Sequence, residues 1–167
     1  VDSTVVSAHI IVALQTIASR NVDPLKQVVV SVCTVETDST AHNVIPQVVI
    51  MKGTVRTMDP KVQDQVEARI AQIVEGTALA LGARAEVHYQ RGYPVTVNAP
   101  ANTNYAAEVA RNVSGHVDTD TPPLMGAEDF SYMLNERPGA YIFLGNGDTA
   151  MVHHPAYNFD DAAIPFG

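Results

Sequence analysis

The amino-acid sequence predicts an α/β chain of the α+β kind: a ferredoxin-like domain lacking its first strand, followed by a smaller α/β segment. Two observations carry this. Helical spacing and β-branched runs alternate in the order α-β-β-α-β, which is the split βαβ arrangement less one strand. Beyond Arg91-Gly92-Tyr93-Pro94 the elements become shorter and the loops longer, so a boundary is drawn between residues 93 and 94. The missing strand would lie upstream of Val1. Because the chain opens on Val1 rather than Met and stops at Ile164-Pro165-Phe166-Gly167, truncation at both ends is expected.

The elements follow in order. Val6, Ile10, Leu14 and Ile17 recur at helical spacing behind Asp2 and Ser3, both able to cap a helix start, and the helix should end near Ser19-Arg20-Asn21. The run from Val28 to Val35 is rich in β-branched residues, which suit a pleated strand. Within it Cys33 reads as a small buried hydrophobe. A polar loop from Thr37 to Asn43 leads to a second strand, Val48–Thr57. Asp59-Pro60 then pairs an N-cap with proline in the first helical position, opening a helix with Val62, Val66, Ile70 and Ile73 on one face and Gly82 as its stop. Ala85–Tyr89 is expected to be a third strand. Further on come a helix over about Pro100–Val113, a short helix from about Glu128, and an apolar strand over Ala140–Leu144.

Composition narrows the function classes. Acids outnumber bases 18 to 10 and the formal net charge is −8, which argues against a phosphate-backbone partner. With one cysteine no intrachain disulfide can form, and a reducing cytoplasm is the expected setting. No apolar run approaches the roughly 20 residues of a membrane helix, so neither nucleic acid nor membrane is expected as a partner.

Three places could carry chemistry. Val152-His153-His154-Pro155, followed by Asn158-Phe159-Asp160-Asp161, arrives after a predicted strand and a Gly145-Asn146-Gly147-Asp148 loop. Neutral imidazole is a common metal ligand, and nearby carboxylates can orient it. Adjacent histidines are equally often plain loop residues. Successive side chains of an extended segment diverge, so at most one should face a given metal. Met125-Gly126-Ala127-Glu128-Asp129-Phe130 places paired acids at a helix start, where they either meet a ligand or simply complement the helix dipole. Asn43 at a strand end and Arg56 on a strand could hold a carboxylate in bidentate fashion, although spacing alone favours a solvent-facing arginine. His9, His42, His88 and His116 carry no partner pattern and are expected in surface or packing roles.

Taken in order, Ala41-His42-Asn43-Val44-Ile45-Pro46, Gly53-Thr54-Val55-Arg56-Thr57, Arg91-Gly92-Tyr93-Pro94, Met125 to Phe130, Pro138-Gly139-Ala140, and His153-His154-Pro155 with Phe159-Asp160-Asp161 resemble the metal-dependent amidohydrolases. That family includes hippurate hydrolase, aminoacylase and the plant auxin-conjugate hydrolases, a branch of the dinuclear metallopeptidases. The resemblance covers nearly the whole chain and rests on order and spacing rather than on any one motif. It implies that residues 1–93 are most of a lid or dimerisation domain and residues 94–167 the C-terminal part of the catalytic domain.

By the same resemblance His153, rather than His154, matches the last metal ligand of a site for two divalent ions, zinc or manganese. Asn43 and Arg56 match lid residues that grip the substrate's carboxylate, often in the partner subunit's site. Glu128 matches an acidic position beside the metals and is grouped with the substrate-binding residues. The chain departs from the family in carrying Asp38-Ser39 where a glycine pair is usual, and Ala127 in place of a usual serine. The family's first metal-ligand cluster, its glutamate pair and its lid histidine all fall before the point that matches Val1. The resemblance therefore implies a homodimeric hydrolase of N-acyl amino acids whose catalytic residues are not in this chain, which alone should be inactive. The other reading is a non-catalytic dimerisation or small-ligand-binding module, which would have no need of the His153 cluster.

Overall fold

Asp2 opens α1 (Ser3–Thr16): its Oδ1 accepts from the N–H groups of Thr4 at 2.9 Å and Val5 at 3.2 Å. Those two donors have no partner inside the helix, which is why a short acid is favoured there. The computed structural model describes residues 1–167. Val6, Ile10 and Leu14 face inward from α1, and a π-helical turn, Ile17–Asn21, prolongs the helix with Ile17 wholly buried. β1 (Val28–Thr37) and β2 (Val49–Thr57) follow, then α2 (Pro60–Ala80). α2 buries Val62, Val66, Val74 and Ala78 against the same cluster, with Val28, Val30, Val32, Met51 and Val55 of the strands packed on it. Gly82, at φ +76°, closes α2: its N–H reaches Leu79 O and the N–H of Ala83 reaches Ala78 O. This paired stop needs a left-handed residue, and glycine takes it without a Cβ penalty.

β1 and β2 form a two-stranded antiparallel sheet, in register from Val28↔Thr57 to Thr37↔Val49. A bulge interrupts the ladder, since Val32 faces Gly53, Thr34 faces Lys52, and Cys33 faces no residue. This overturns the expectation for Cys33, which is exposed. The extra residue of a bulge leaves the alternation of the strand, so a small apolar type no longer implies burial there. Across the bulge, a Cβ on Gly53 would collide with the carbonyl oxygen of Ser31. Gly53→Ala is therefore expected to destabilise the chain by roughly 1–3 kcal/mol, read as a lower midpoint in urea with unchanged slope.

Residues 83–89 differ from expectation. Ala83, Ala85, Val87 and Tyr89 are partly buried and alternate with exposed Arg84, Glu86 and His88, and the first three pack on the core, yet the segment joins no ladder. Alternation reports which side chains are buried, whereas a strand also requires a neighbour to pair its backbone. The segment is anchored by Arg91, whose Nε donates to Glu67 Oε2 and Nη2 to Asp64 Oδ1, both at 2.7 Å.

Lys26 Nζ lies 2.8 Å from Asp59 Oδ2, while Asp59 Oδ1 caps α2 through the N–H of Lys61. The bond from Lys26, then that from Lys61, holds the Asp59 carboxyl below its ordinary value, and the bond to Asp59 raises Lys26. A lowered carboxyl stabilises the fold above about pH 4, and that contribution is lost as pH falls through its folded value. A raised ammonium stabilises below about pH 10, and that contribution is lost as pH rises through its own folded value. Asp59→Asn keeps a capping oxygen and removes the charge. Its urea midpoint should fall less than the wild type's on acidification from about pH 5 to 3, a difference that salt screens.

The contacts divide the chain into Val1–Val95 and Thr96–Gly167. In the second unit, α3 (Pro100–Ser114) starts on proline, ends on left-handed Gly115 and has no buried residue. α4 spans Phe130–Glu136, beginning two residues later than expected because Glu128 and Asp129 form the turn that leads into it. Ala140–Leu144, expected as a strand, also joins no ladder. Asn98 substitutes for a neighbouring strand at one point: its Nδ2 donates to Tyr141 O and its Oδ1 accepts from Tyr141 N–H, each at 2.8 Å. Only Ser131 and Ala163 are buried in this unit, and Ile142, Phe143 and Val152 stay exposed. No helix is long and apolar enough to cross a membrane.

Candidate functional site

The loop after residue 144 is tied shut by one asparagine. Asn146 Nδ2 donates to Asn158 O at 2.8 Å, and its Oδ1 accepts from Asp160 N–H at 2.7 Å. Thr149 Oγ1 adds a bond to Asn158 O at 3.1 Å. Between these ties the chain turns sharply: His154 N–H reaches Met151 O and Tyr157 N–H reaches His154 O. His153, in the bend of the first turn, has φ +69° and is the sole residue other than glycine with positive φ. Histidine tolerates that region better than most residues, but it still costs about 1 kcal/mol or more, and such strain concentrates at functional sites.

The two histidines are not equivalent. His154 Nδ1 accepts the N–H of Ala156 at 3.1 Å, which commits that ring to the loop and places its proton on Nε2. The exposed imidazole of His153 makes no such bond. His9, His42, His88 and His116 are all exposed, with His88 beside Glu86 at 3.4 Å.

Glu128 is half-buried just ahead of α4. Its carbonyl oxygen accepts from both the N–H (3.2 Å) and Oγ (2.6 Å) of the wholly buried Ser131. The phenol of Tyr141 is less acidic than usual, through partial desolvation first, then the charge of Glu128 and the bond to it, then Asp129. Tyr141 and Asn98 were not singled out by the sequence. An apolar run around a tyrosine reads as packing, and an asparagine ahead of a proline reads as loop.

In the N-terminal unit, Asn43 sits in the turn closed by Val44 N–H on Ala41 O, in the loop joining β1 to β2. Arg56 opposes Val29 near the other end of the hairpin, exposed and without an acidic partner. Arg56 lies seven positions along the strand from Val49, which at about 3.4 Å each is roughly 24 Å. The hairpin thus sets Asn43 and Arg56 apart, and neither they nor Glu128 and His153 are joined by a hydrogen bond or ion pair.

A metal centre needs three or four convergent ligands. Nowhere in the chain do three or more His, Cys, Asp or Glu come together to hold a metal ion. Its residues do not fit a complete mononuclear or dinuclear site, and in the tied C-terminal loop what they offer is the unbonded imidazole of His153.

Comparison with known proteins shows the family. The chain is 37% identical over 163 residues to the N-acetyl-L-cysteine deacetylase of Bacillus subtilis, a match that takes in 98% of this chain and 39% of that protein. It is also 37% identical over 164 residues to the N-acetyldiaminopimelate deacetylase of Leuconostoc mesenteroides, covering 98% and 42%. The chain thus spans about two-fifths of the length of the curated relatives it matches. Among solved structures it resembles a dinuclear metal-binding peptidase of Bacillus subtilis, with TM-score 0.72 and 28% identity over 98% of this chain and 43% of that one. The family model for peptidases M20/M25/M40 matches residues 3–167, and the chain belongs to that family.

Proposed function

We propose that the intact protein hydrolyses the amide bond of N-acyl amino acids, with N-acetyl and hippurate-like compounds as the substrate class. The observation that carries this reading is His153: a strained, exposed imidazole in a tied loop, beside a second histidine already committed to that loop. His153 is assigned as one ligand of a pair of divalent ions, zinc or manganese, which would polarise the amide when bound. Family membership and the deacetylase names of two relatives support the reaction type.

This chain's own part is recognition. Arg56, a cation without an internal partner, is assigned to the substrate's carboxylate, Asn43 to a separate polar contact, and Glu128 to the substrate beside the metals. Residues 1–93 act as lid and dimerisation domain and residues 94–167 as part of the catalytic domain of a cytoplasmic homodimer. Release of free amino acid from N-acetyl-L-cysteine and hippurate, with zinc or manganese supplied, tests the proposal. The intact protein should hydrolyse at least one of them and the 167-residue chain neither; hydrolysis by the chain alone, or none by the intact protein, would overturn it.

A further inference from the structure

The loop that carries Asn43 is closed at its base by side chains as well as by the end of the β-ladder. β1 ends at Thr37 and β2 begins at Val49. Between them Asp38 N–H donates to Val48 O at 3.2 Å, and Asp38 Oδ1 accepts from Gln47 N–H at 3.0 Å. The carboxylate thus adds a further rung across the loop after the last backbone one, and a charged acceptor makes that rung stronger than a neutral one would be. Thr37 Oγ1 donates to Ser39 O at 2.7 Å and Ser39 Oγ accepts from Ala41 N–H at 3.3 Å, which leads the outgoing limb into the turn that Val44 N–H closes on Ala41 O. On the returning limb, Ser3 in the first turn of α1 donates from Oγ to Pro46 O at 2.6 Å and fixes the loop to that helix. Asn43 stands exposed in the turn, and its side chain takes part in none of these bonds. An exposed loop samples many backbone states unless it is tied, and it binds in proportion to the time it spends in the presenting one. We propose that Asp38 is a positioning residue: its carboxylate closes the base of the loop and so holds the Ala41–Val44 turn where Asn43 meets the substrate.

The inference rests on the proposed contact of Asn43 with substrate, and the experiment separates the two. In the intact protein Asp38→Ala should raise KM for an N-acetyl amino acid roughly five-fold, the effect of losing about one hydrogen bond, with kcat and Tm little changed. Asp38→Asn keeps an oxygen for Gln47 N–H and should stay near wild type. Asn43→Ala should raise KM at least as far, and adding Asp38→Ala to it should change nothing more, because Asp38 acts through Asn43. A bond that served stability alone would lower Tm and leave KM unmoved. Independently of activity, amide hydrogen exchange across residues 39–48 should quicken in Asp38→Ala and not in Asp38→Asn. If Asn43→Ala raises KM while Asp38→Ala does not, or if the two effects add, the positioning role is overturned and the contact of Asn43 stands. Unmoved exchange in Asp38→Ala overturns the positioning role as well. If Asn43→Ala leaves KM unchanged, or the intact protein hydrolyses no N-acyl amino acid, while exchange still quickens, the functional reading fails and takes the positioning role with it, leaving the tie as a structural one.

Discussion

Replacing His153 with glycine is expected to lower kcat/KM of the intact protein by more than about a hundred-fold, beyond the loss typical of residues behind a metal ligand, while leaving its stability close to wild type. The two halves of this expectation have different causes. Activity is lost because the free imidazole of the loop is gone, and His154 cannot replace it while its Nδ1 is bonded to Ala156 N–H. Stability is kept because glycine adopts φ +69° without strain. Relief of about 1 kcal/mol is offset by the similar entropy that glycine adds to the unfolded chain. His153→Ala removes the same imidazole and keeps the strain without adding that entropy, so it should match glycine in both activity and Tm. Steady-state kinetics and thermal melts on both variants check this. Equal activity of His153→Gly and wild type would remove His153 from the site.

Arg56→Ala is expected to raise KM by ten- to a hundred-fold, the range for a charge-assisted hydrogen-bonded pair, with kcat within about two-fold. An interaction made equally in ground and transition states has that signature. Arg56 opposes Val29 on the exposed side of the hairpin and has no carboxylate of its own chain to release, so removing it should leave the fold undisturbed. Arg56→Lys keeps the charge but not the two-pronged geometry and should fall between the two. An N-acyl amine, lacking the carboxylate, should be a poor substrate for wild type and no poorer for Arg56→Ala. Unchanged KM in Arg56→Ala would remove the guanidinium from substrate binding.

The helices of the first unit were legible because each is written in one-dimensional chemistry. Helical spacing from Val6 to Leu14 and through Val62, Val66, Ile70 and Ile73 marks the inward faces, to which the structure adds Val74 and Ala78 as buried, and Asp2 and Asp59-Pro60 mark the starts by supplying or sparing backbone donors. Pairing was less legible. Residues 83–89 and 140–144 carry strand-like composition, but hydrogen-bond partners are a property of the neighbours, and here no ladder forms. The bulge that exposes Cys33 is a matter of register between two strands, and its trace in the sequence is a glycine at position 53 whose reason appears only when Ser31 is seen against it. At the site, the sequence identified the His153-His154 pair, while the distinction between them on structural grounds came from a φ angle and one bond to Ala156. Tyr141 was hidden among apolar neighbours, and its anchoring emerged from the Asn98 clasp and the aromatic group around it.

The most direct test of the account is metal stoichiometry. Equilibrium dialysis against zinc, followed by metal analysis, should give two ions per protomer for the intact protein. The intact His153→Gly variant should hold fewer, and the 167-residue chain, in which no three ligands converge, none. Two ions retained by the His153→Gly variant, or a zinc ion held tightly by the chain alone, would contradict the assignment of His153 as one ligand of a centre completed by residues outside this chain.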